Sequence, residues 1–414
     1  MKVNYMISTA AVLAALLTFS CTKDLQENAP VSGKDSDKVT LLIAADEVTK
    51  TTFGVNGYEV KWENDDKIGI FIASSSTNVP ASLIRDDAGK AYFKADVSNY
   101  NTGDQLCAYY PYAAANDKAE ASKVTLKVPY IQTQTAPDKF DGSNNPMIAV
   151  PMSLPDAGTT VNNPLKFRHI GAVLEFDITG VPATEKLKSV QFVSSKGFPA
   201  TDNSIYNLTS VTENGDVNTV AGTYYKSVTV SLQGDGFTPG QSTKVYMTLV
   251  PGTYNGNIYI STDKNLYRYS DKTIDADRAV VKTIKADLSS GSADKSKEIK
   301  SALDYEVFAM AANAGDYSAW VDDAGEVKLG ADISTTTYFT RIQKTWNGKF
   351  NGQDNTIKQD ASVVPLFTVI SEDASVSNLV LEGSKKSMAD AGSWGSAAIA
   401  QVNYGTIENV ENRK

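Results

Sequence analysis

From Lys38 to about Ser290 the chain is a succession of short runs rich in β-branched and aromatic residues, separated by clusters of turn formers. That pattern limits the fold more than any other feature. The runs include Val39–Ala44, Lys67–Ile72, Leu106–Tyr110, Val124–Val128, Ala172–Ile178, Ser189–Val193, Tyr224–Leu232, Lys244–Val250, Asn257–Thr262 and Val280–Ala286. Tyr58-Glu59-Val60-Lys61-Trp62 alternates with the period of two of a half-buried strand, and Glu63-Asn64-Asp65-Asp66 reads as the turn that follows it. Further turns are signalled at Gly215-Asp216, Gly234-Asp235-Gly236 and Pro251-Gly252. Short strands punctuated this often predict an all-β chain of antiparallel sandwiches. No run leads through a glycine loop into a helix, which argues against a nucleotide-binding α/β unit.

Composition narrows the function. Lys+Arg is 39 against Asp+Glu 48, a net charge of −9, so no nucleic-acid partner is expected. The chain has one histidine, His169, and two cysteines, Cys21 and Cys107. Zinc sites of the His/Cys type need three or four such ligands, so none can form. His169 has no Gly-x-Ser-x-Gly elbow beside it and precedes the strand-forming run Ala172–Ile178, so it is expected to be structural. Cys107, inside Leu106-Cys107-Ala108-Tyr109-Tyr110, is expected to be a buried thiol. Glu63, Asp65 and Asp66 lack calcium-loop spacing; Asp65 and Asp66 are expected to stay hydrated or to bond turn amides, with Trp62 and Phe71 pinning a hairpin around them. No catalytic residue, metal or cofactor is assigned, and the chain is expected not to be an enzyme.

The N-terminus carries an address. Lys2 precedes an apolar run from Ala10 to Leu17, shorter than the ~20 residues needed to span a bilayer. Thr18-Phe19-Ser20 then leads directly into Cys21. Residues 1–20 read as a lipoprotein signal peptide and Cys21 as the lipidation site, although Phe19 is bulky for its position. Residues 21–37, poor in apolar side chains, read as a polar tether. The stretch Cys21-Thr22-Lys23-Asp24-Leu25-Gln26-Glu27 resembles the acidic export signals of surface lipoproteins in the Bacteroidota. That implies a lipid anchor in the outer membrane, facing the cell surface.

Within the β-rich part, segments resemble the fimbrillin-like (Mfa-like) lipoprotein family. Trp62-Glu63-Asn64-Asp65-Asp66-Lys67-Ile68-Gly69-Ile70-Phe71 is similar to its tryptophan, acidic turn, Asp-x-Ile-Gly-Val-Phe element. Tyr109-Tyr110-Pro111-Tyr112 resembles its aromatic-proline strand end. Val128-Pro129-Tyr130-Ile131-Gln132-Thr133, with Phe140-Asp141, resembles its Pro-x-x-Gln-Thr segment, although Pro129 by itself predicts the end of a strand. Phe167-Arg168-His169-Ile170-Gly171-Ala172 matches its Phe-x-His-x-x-Ala element. The resemblance implies two transthyretin-like antiparallel β-sandwich domains, export as a lipoprotein, and a role in pili or surface adhesion. Shaft subunits of that family are cut after an early arginine and then exchange a strand. After Cys21 the first arginine here is Arg85, so the shaft maturation site is missing.

The C-terminal part reads differently. Residues 289–300 are small and polar. Ala302, Tyr305, Phe308, Ala309 and Ala312 then recur at helical spacing, and Asn313 and Gly315 stop the helix. Trp346-Asn347-Gly348-Lys349-Phe350-Asn351-Gly352 through Ile357 resembles the opening of GLUG-type repeats, and Leu366–Ile370 and Ala374–Gly383 continue the pattern. Val376-Ser377-Asn378-Leu379 is echoed by Ile407-Glu408-Asn409-Val410. These recurrences imply coils of a short right-handed parallel β-helix with the helix as its N-terminal cap. No closing cap follows the second echo before Lys414, so the solenoid is either short or cut. A polysaccharide-cleaving β-helix would need convergent carboxylates, and Asp354, Asp360, Glu372 and Asp373 show no repeating register.

The expected division is signal peptide 1–20, tether 21–37, first sandwich 38–165, second sandwich 166–290, linker 291–300, and capping helix with repeats 301–414. The expected function is a fimbrillin-like surface adhesin, as a minor, tip or anchor pilus component or standing alone. Other fimbrial subunits would be partners by strand exchange. The alternative is a non-polymerising lipoprotein that binds carbohydrate or host protein.

Overall fold

The computed structural model describes residues 38–44, 52–53, 58–59, 62–72, 75–85, 90–98, 100–155, 160–199, 201, 204–212, 224–289, 291, 293–336, 339–359, 365–383, 387–389 and 397–413. All belong to one compact unit, Lys38–Lys414. Cys21, the signal peptide and the tether lie outside the described residues. So do Asp360 and the turn at Gly215-Asp216. The described chain is β-rich throughout, with the single α-helix Ala302–Ala314.

An eight-stranded antiparallel sheet holds the first strands, from Lys38–Ala44 at one edge to Phe167–His169 at the other. Alternation sorts its side chains. Leu106, Ala108 and Tyr110 join Ile68, Ile70, Phe93, Met147 and Phe167 in one core, while Cys107 and Tyr109 point the other way with Phe71 and Ile148. Strands at both edges share the first core, so the sheet curls around it. The second core is completed by Val124, Leu126, Tyr206 and Leu208, and therefore joins the first strands to residues beyond 200.

Next, the three-stranded sheet Ser242–Leu249, Ala172–Thr179, Val281–Asp287 packs on a five-stranded sheet. The latter runs in the order Leu266–Ala276, Gly252–Thr262, Leu187–Pro199, Tyr224–Leu232, Ile131–Gln134. Leu174, Phe176, Val245 and Met247 from one sheet meet Phe192, Val230, Ile258 and Tyr267 from the other. Both sheets depart from the antiparallel expectation. Ala172–Thr179 pairs in parallel with Val281–Asp287, and Ile131–Gln134 pairs in parallel with Tyr224–Leu232. A tight hairpin enforces antiparallel neighbours, but Ile131–Gln134 arrives from the first sheet and is free of that constraint. Pro129 accordingly precedes a strand and, contrary to expectation, ends none, because the strand before it stops at Thr125. Of the predicted run Val124–Val128, only Val124–Thr125 is a strand.

The helix Ala302–Ala314 starts at Ser301, whose side chain accepts from Asp304 N, and stops at Gly315 in the left-handed region (φ 91°). Tyr305, Phe308 and Ala312 are buried against both the five-stranded sheet, through Val193 and Tyr259, and the residues that follow. Those residues stack as parallel rungs. Val327 pairs with Phe350, Phe350 with Val376, and Val376 with Ile407. Ile333, Ile357 and Leu381 form a second column. The strand Ser375–Glu382 bends between its two arms at Asn378, which sits in the left-handed region (φ 50°), as does Asn409 (φ 50°) in the next rung. Asparagine tolerates that conformation better than most residues. The sequence echo thus marks side chains paired one above the other.

The segment 291–300, linker-like in composition, is docked. Arg268 and Asp294 exchange both backbone hydrogen bonds, and Ile299 is buried and donates to Lys328 O.

Candidate functional site

Three of the family-like segments meet in one place. Trp62, Tyr110 and Phe167 come from three different segments of the chain, and Phe93 joins them. The Trp62 ring lies edge-on to Phe93 at 4.8 Å, Tyr110 at 5.3 Å and Phe167 at 5.5 Å. Each such pair adds ~0.5–1.5 kcal/mol beyond its buried area. The acidic turn is held by the same cluster. Asp66 accepts from Glu63 N through Oδ2 at 2.7 Å and from the Tyr110 hydroxyl through Oδ1 at 2.7 Å. Burial and the neighbouring Asp66 carboxylate push the Tyr110 hydroxyl above its ordinary pKa. Asp66 therefore bonds a turn amide, as expected from sequence. Glu63 faces Lys139 at 3.3 Å. Phe71 does not pin the turn with Trp62. It follows the alternation to the opposite face and packs with Tyr109.

Gly69, the glycine of the Asp-x-Ile-Gly element, gives that Tyr109 ring its room. A Cβ on Gly69 would lie 2.1 Å from Tyr109 Cε1. Tyr109 is fully buried, and its hydroxyl receives a bond from Asn78 at 2.9 Å and donates to Ala113 O at 3.2 Å.

The Pro-x-x-Gln-Thr segment closes a sheet edge with side chains. Gln132 Nε2 donates to Thr248 O at 2.7 Å, and Gln132 Oε1 accepts from Thr248 N at 2.9 Å. Two residues on, Gln134 Nε2 donates to Lys244 O at 2.9 Å, and its Oε1 accepts from Tyr246 N at 2.9 Å. Both glutamines are buried. Their amides substitute for the missing neighbour of Ser242–Leu249 and join the three-stranded sheet to the five-stranded one. Buried backbone groups need such partners.

His169 is buried, its Nδ1 3.2 Å from Asn145 O, while Asn145 Oδ1 accepts from Gly171 N at 3.0 Å. The histidine thus sits where the chain leaves the eight-stranded sheet for the three-stranded one. Cys107 is buried, and desolvation pushes its thiol up to about 11. Asp354 and the pair Glu372, Asp373 sit in separate turns of the C-terminal rungs. Among the described residues, no three His, Cys, Asp or Glu side chains group as metal ligands, and no helix is long and apolar enough to cross a membrane.

Sequence reasoning missed a buried ion pair at the foot of the helix. Arg268 Nε lies 2.8 Å from Asp304 Oδ1, and both side chains are almost fully buried. Asp304 also accepts from the Tyr259 hydroxyl at 2.5 Å and from Lys300 N at 2.9 Å. Arg268 reaches Asp294 at 3.2 Å and donates to Glu298 O at 2.9 Å. Strand residues Tyr259 and Arg268 are thereby tied to helix residue Asp304. Ser301-x-x-Asp304 is a legible helix-start signature, but its buried arginine partner is distant in sequence. Elsewhere, an open groove of about 320 Å³ is lined by Val150, Pro151, Met152, Asn163, Pro164 and Lys166.

No family model matches the chain, and no curated protein matches it. Solved structures overlap it loosely. A proposed cell adhesion protein from Bacteroides ovatus is 13% identical, with a TM-score of 0.41 over 62% of this chain and 94% of its own. Another, from Bacteroides fragilis, is 10% identical with a TM-score of 0.42, covering 62% and 95%. A fimbrial protein from Bacteroides ovatus is 10% identical with a TM-score of 0.31, covering 60% of this chain and 48% of that one.

Proposed function

We propose that this chain is a fimbrillin-like cell-surface adhesin, anchored in the outer membrane by a lipid on Cys21. In this reading it is a minor, tip or anchor pilus component or a stand-alone adhesin, not a shaft pilin and not an enzyme. The convergence of Trp62, Tyr110 and Phe167 in one aromatic core supports it most directly. Segments that resemble one family separately in sequence are here parts of a single packing unit. The buried polar groups described above, Gln132, Gln134, His169 and Asp304, and the half-buried Asp66 all bond structural partners. The proposed architecture is two transthyretin-like sandwiches, 38–165 and 166–290, then a linker at 291–300 and a short right-handed parallel β-helix of GLUG type in 301–414, capped by its helix. The strand Ile131–Gln134 then belongs to the first segment by sequence and to the second sandwich by pairing.

The test uses cells that express the chain. Externally added protease is expected to degrade it on intact cells, and Cys21→Ser is expected to move it out of the membrane fraction. Full protection from protease on intact cells would overturn the surface reading. On an unboiled denaturing gel, a heat-labile ladder would place it in a fimbrial polymer, and a single band would make it a monomeric adhesin.

A further inference from the structure

An asparagine followed by glycine can react with its own backbone. With no Cβ on the second residue, that residue's nitrogen reaches the asparagine side-chain carbon with little steric cost. The chain holds five such pairs. Asn56-Gly57 and Asn214-Gly215 lie outside the described residues. The other three differ in what holds the glycine.

Gly256 is buried in the strand Gly252–Thr262 and paired on both sides, with Ser194 and Lys272. Gly352 is buried, and its nitrogen donates to Ser377 O at 2.8 Å. Asn351, ahead of it, is tied as well, its Oδ1 accepting from Gln353 N at 3.0 Å and from Asn378 at 3.2 Å. Asn347-Gly348 is different. Asn347 is exposed, and Gly348 O accepts from Ser375 N at 3.0 Å. Among the described residues the Gly348 nitrogen has no hydrogen-bond partner.

A hydroxyl lies against the same turn. Tyr317 donates to Asn347 Oδ1 at 2.8 Å, and its ring is held by Trp346 at 4.7 Å. A Cβ on Gly348 would lie 2.7 Å from the Tyr317 hydroxyl and 2.8 Å from Trp346 Cζ2. This packing demands glycine at 348 and so imposes the reactive pair. Burial raises the Tyr317 pKa, which keeps the hydroxyl protonated as a donor.

We propose that Asn347 is a self-deamidation site, with Tyr317 as the donor to the oxygen that takes up charge. Gly348 N gives its proton to hydroxide and bonds to Asn347 Cγ. Negative charge collects on Oδ1, where the Tyr317 hydroxyl already points, and a donor so aimed lowers the barrier. The Cγ–Nδ2 bond then breaks, Nδ2 takes a proton from water and leaves as ammonia, and a succinimide ring remains. Water opens the ring at either carbonyl, giving aspartate or isoaspartate. The net change consumes one water and releases one ammonia. Aspartate adds a negative charge beside Tyr317. Isoaspartate lengthens the main chain just ahead of the strand Lys349–Asn351. This inference stands apart from the adhesin reading, because it rests on one turn alone.

The test follows the purified full chain during incubation at pH 8, with tryptic peptides resolved by mass spectrometry. Asn347, Asn351 and Asn255 fall on separate peptides, 345–349, 350–358 and 245–264. Conversion at Asn347 is expected to run about 10-fold faster than at the other two, whose glycines are held by main-chain pairing. In urea that preference should vanish. Tyr317→Phe keeps the ring on Trp346 and should slow conversion about 3- to 10-fold, less than in a closed active site because this donor is near water. Circular dichroism confirms that the variant folds, and the comparison among native peptides needs no variant. No conversion at Asn347, or equal native rates at the three sites, would overturn the proposal. An unchanged or faster rate in Tyr317→Phe would overturn it too.

Discussion

The Tyr110 hydroxyl donates to Asp66 Oδ1 at 2.7 Å, joining the end of one strand to the turn that opens another. The bond fixes the acidic turn against the aromatic core, with Trp62 edge-on to the same tyrosine at 5.3 Å. Tyr110→Phe should cost about 1–2 kcal/mol and Trp62→Ala about 3–5 kcal/mol in urea denaturation. Equal effects of the two would contradict the central place of the tryptophan.

Gly69 and Tyr109 should be energetically coupled. Gly69→Ala drives a methyl group into the ring, since its Cβ would lie 2.1 Å from Cε1. In the background of Tyr109→Ala the same substitution should lose most of its cost. A double-mutant cycle should return a coupling of at least ~1 kcal/mol, and an additive result would reject the contact.

Gln132→Ala removes both partners of Thr248, and Gln134→Ala removes those of Lys244 O and Tyr246 N. Each should destabilise by about 1–3 kcal/mol, the cost of orphaned buried groups. Hydrogen exchange should quicken first at the amides of Thr248 and Tyr246. Unchanged protection there would mean that water replaces the glutamines at no cost.

Arg268→Met takes the guanidinium away from buried Asp304, and should cost about 3–5 kcal/mol. The double variant Arg268→Met, Asp304→Leu should recover much of that loss. Limited proteolysis should cut within 291–300 faster in the single variant, because Arg268 also holds Asp294 and Glu298 O. Cleavage at the wild-type rate would show that the pair does not hold this segment.

Cys107 should resist iodoacetamide in the native chain at pH 8 and react at once in denaturant, since burial raises its thiol to about 11. The folded state holds this proton more tightly than the unfolded one. Its contribution to stability is therefore complete below the ordinary thiol value of 9.0 and lost as pH rises through about 11. Cys107→Ala should show a smaller alkaline loss of stability over that window. An identical loss would place the thiol in a wetter site.

Local pattern made much of this legible. Alternation in Leu106–Tyr110 sorts its side chains between two cores, Ser301 and Gly315 bound the helix, and the echo of Asn378 in Asn409 predicts which side chains stack. Each depends on residues within one element or one repeat, where period and backbone preference act directly. Partnerships across the chain were not legible. Nothing near Gln132 announces Thr248, nothing near Asp304 announces Arg268, and nothing in Phe71 shows that it turns away from Trp62. Amphipathic periodicity says that a face must be buried, not against what. The parallel placing of Ile131–Gln134 and the docking of 291–300 belong to the same class. The sequence by itself determined an all-β chain, its helix and its repeating rungs. Only the tertiary structure decided which strands became neighbours, because that choice is set by the distant edges and buried polar groups left needing partners.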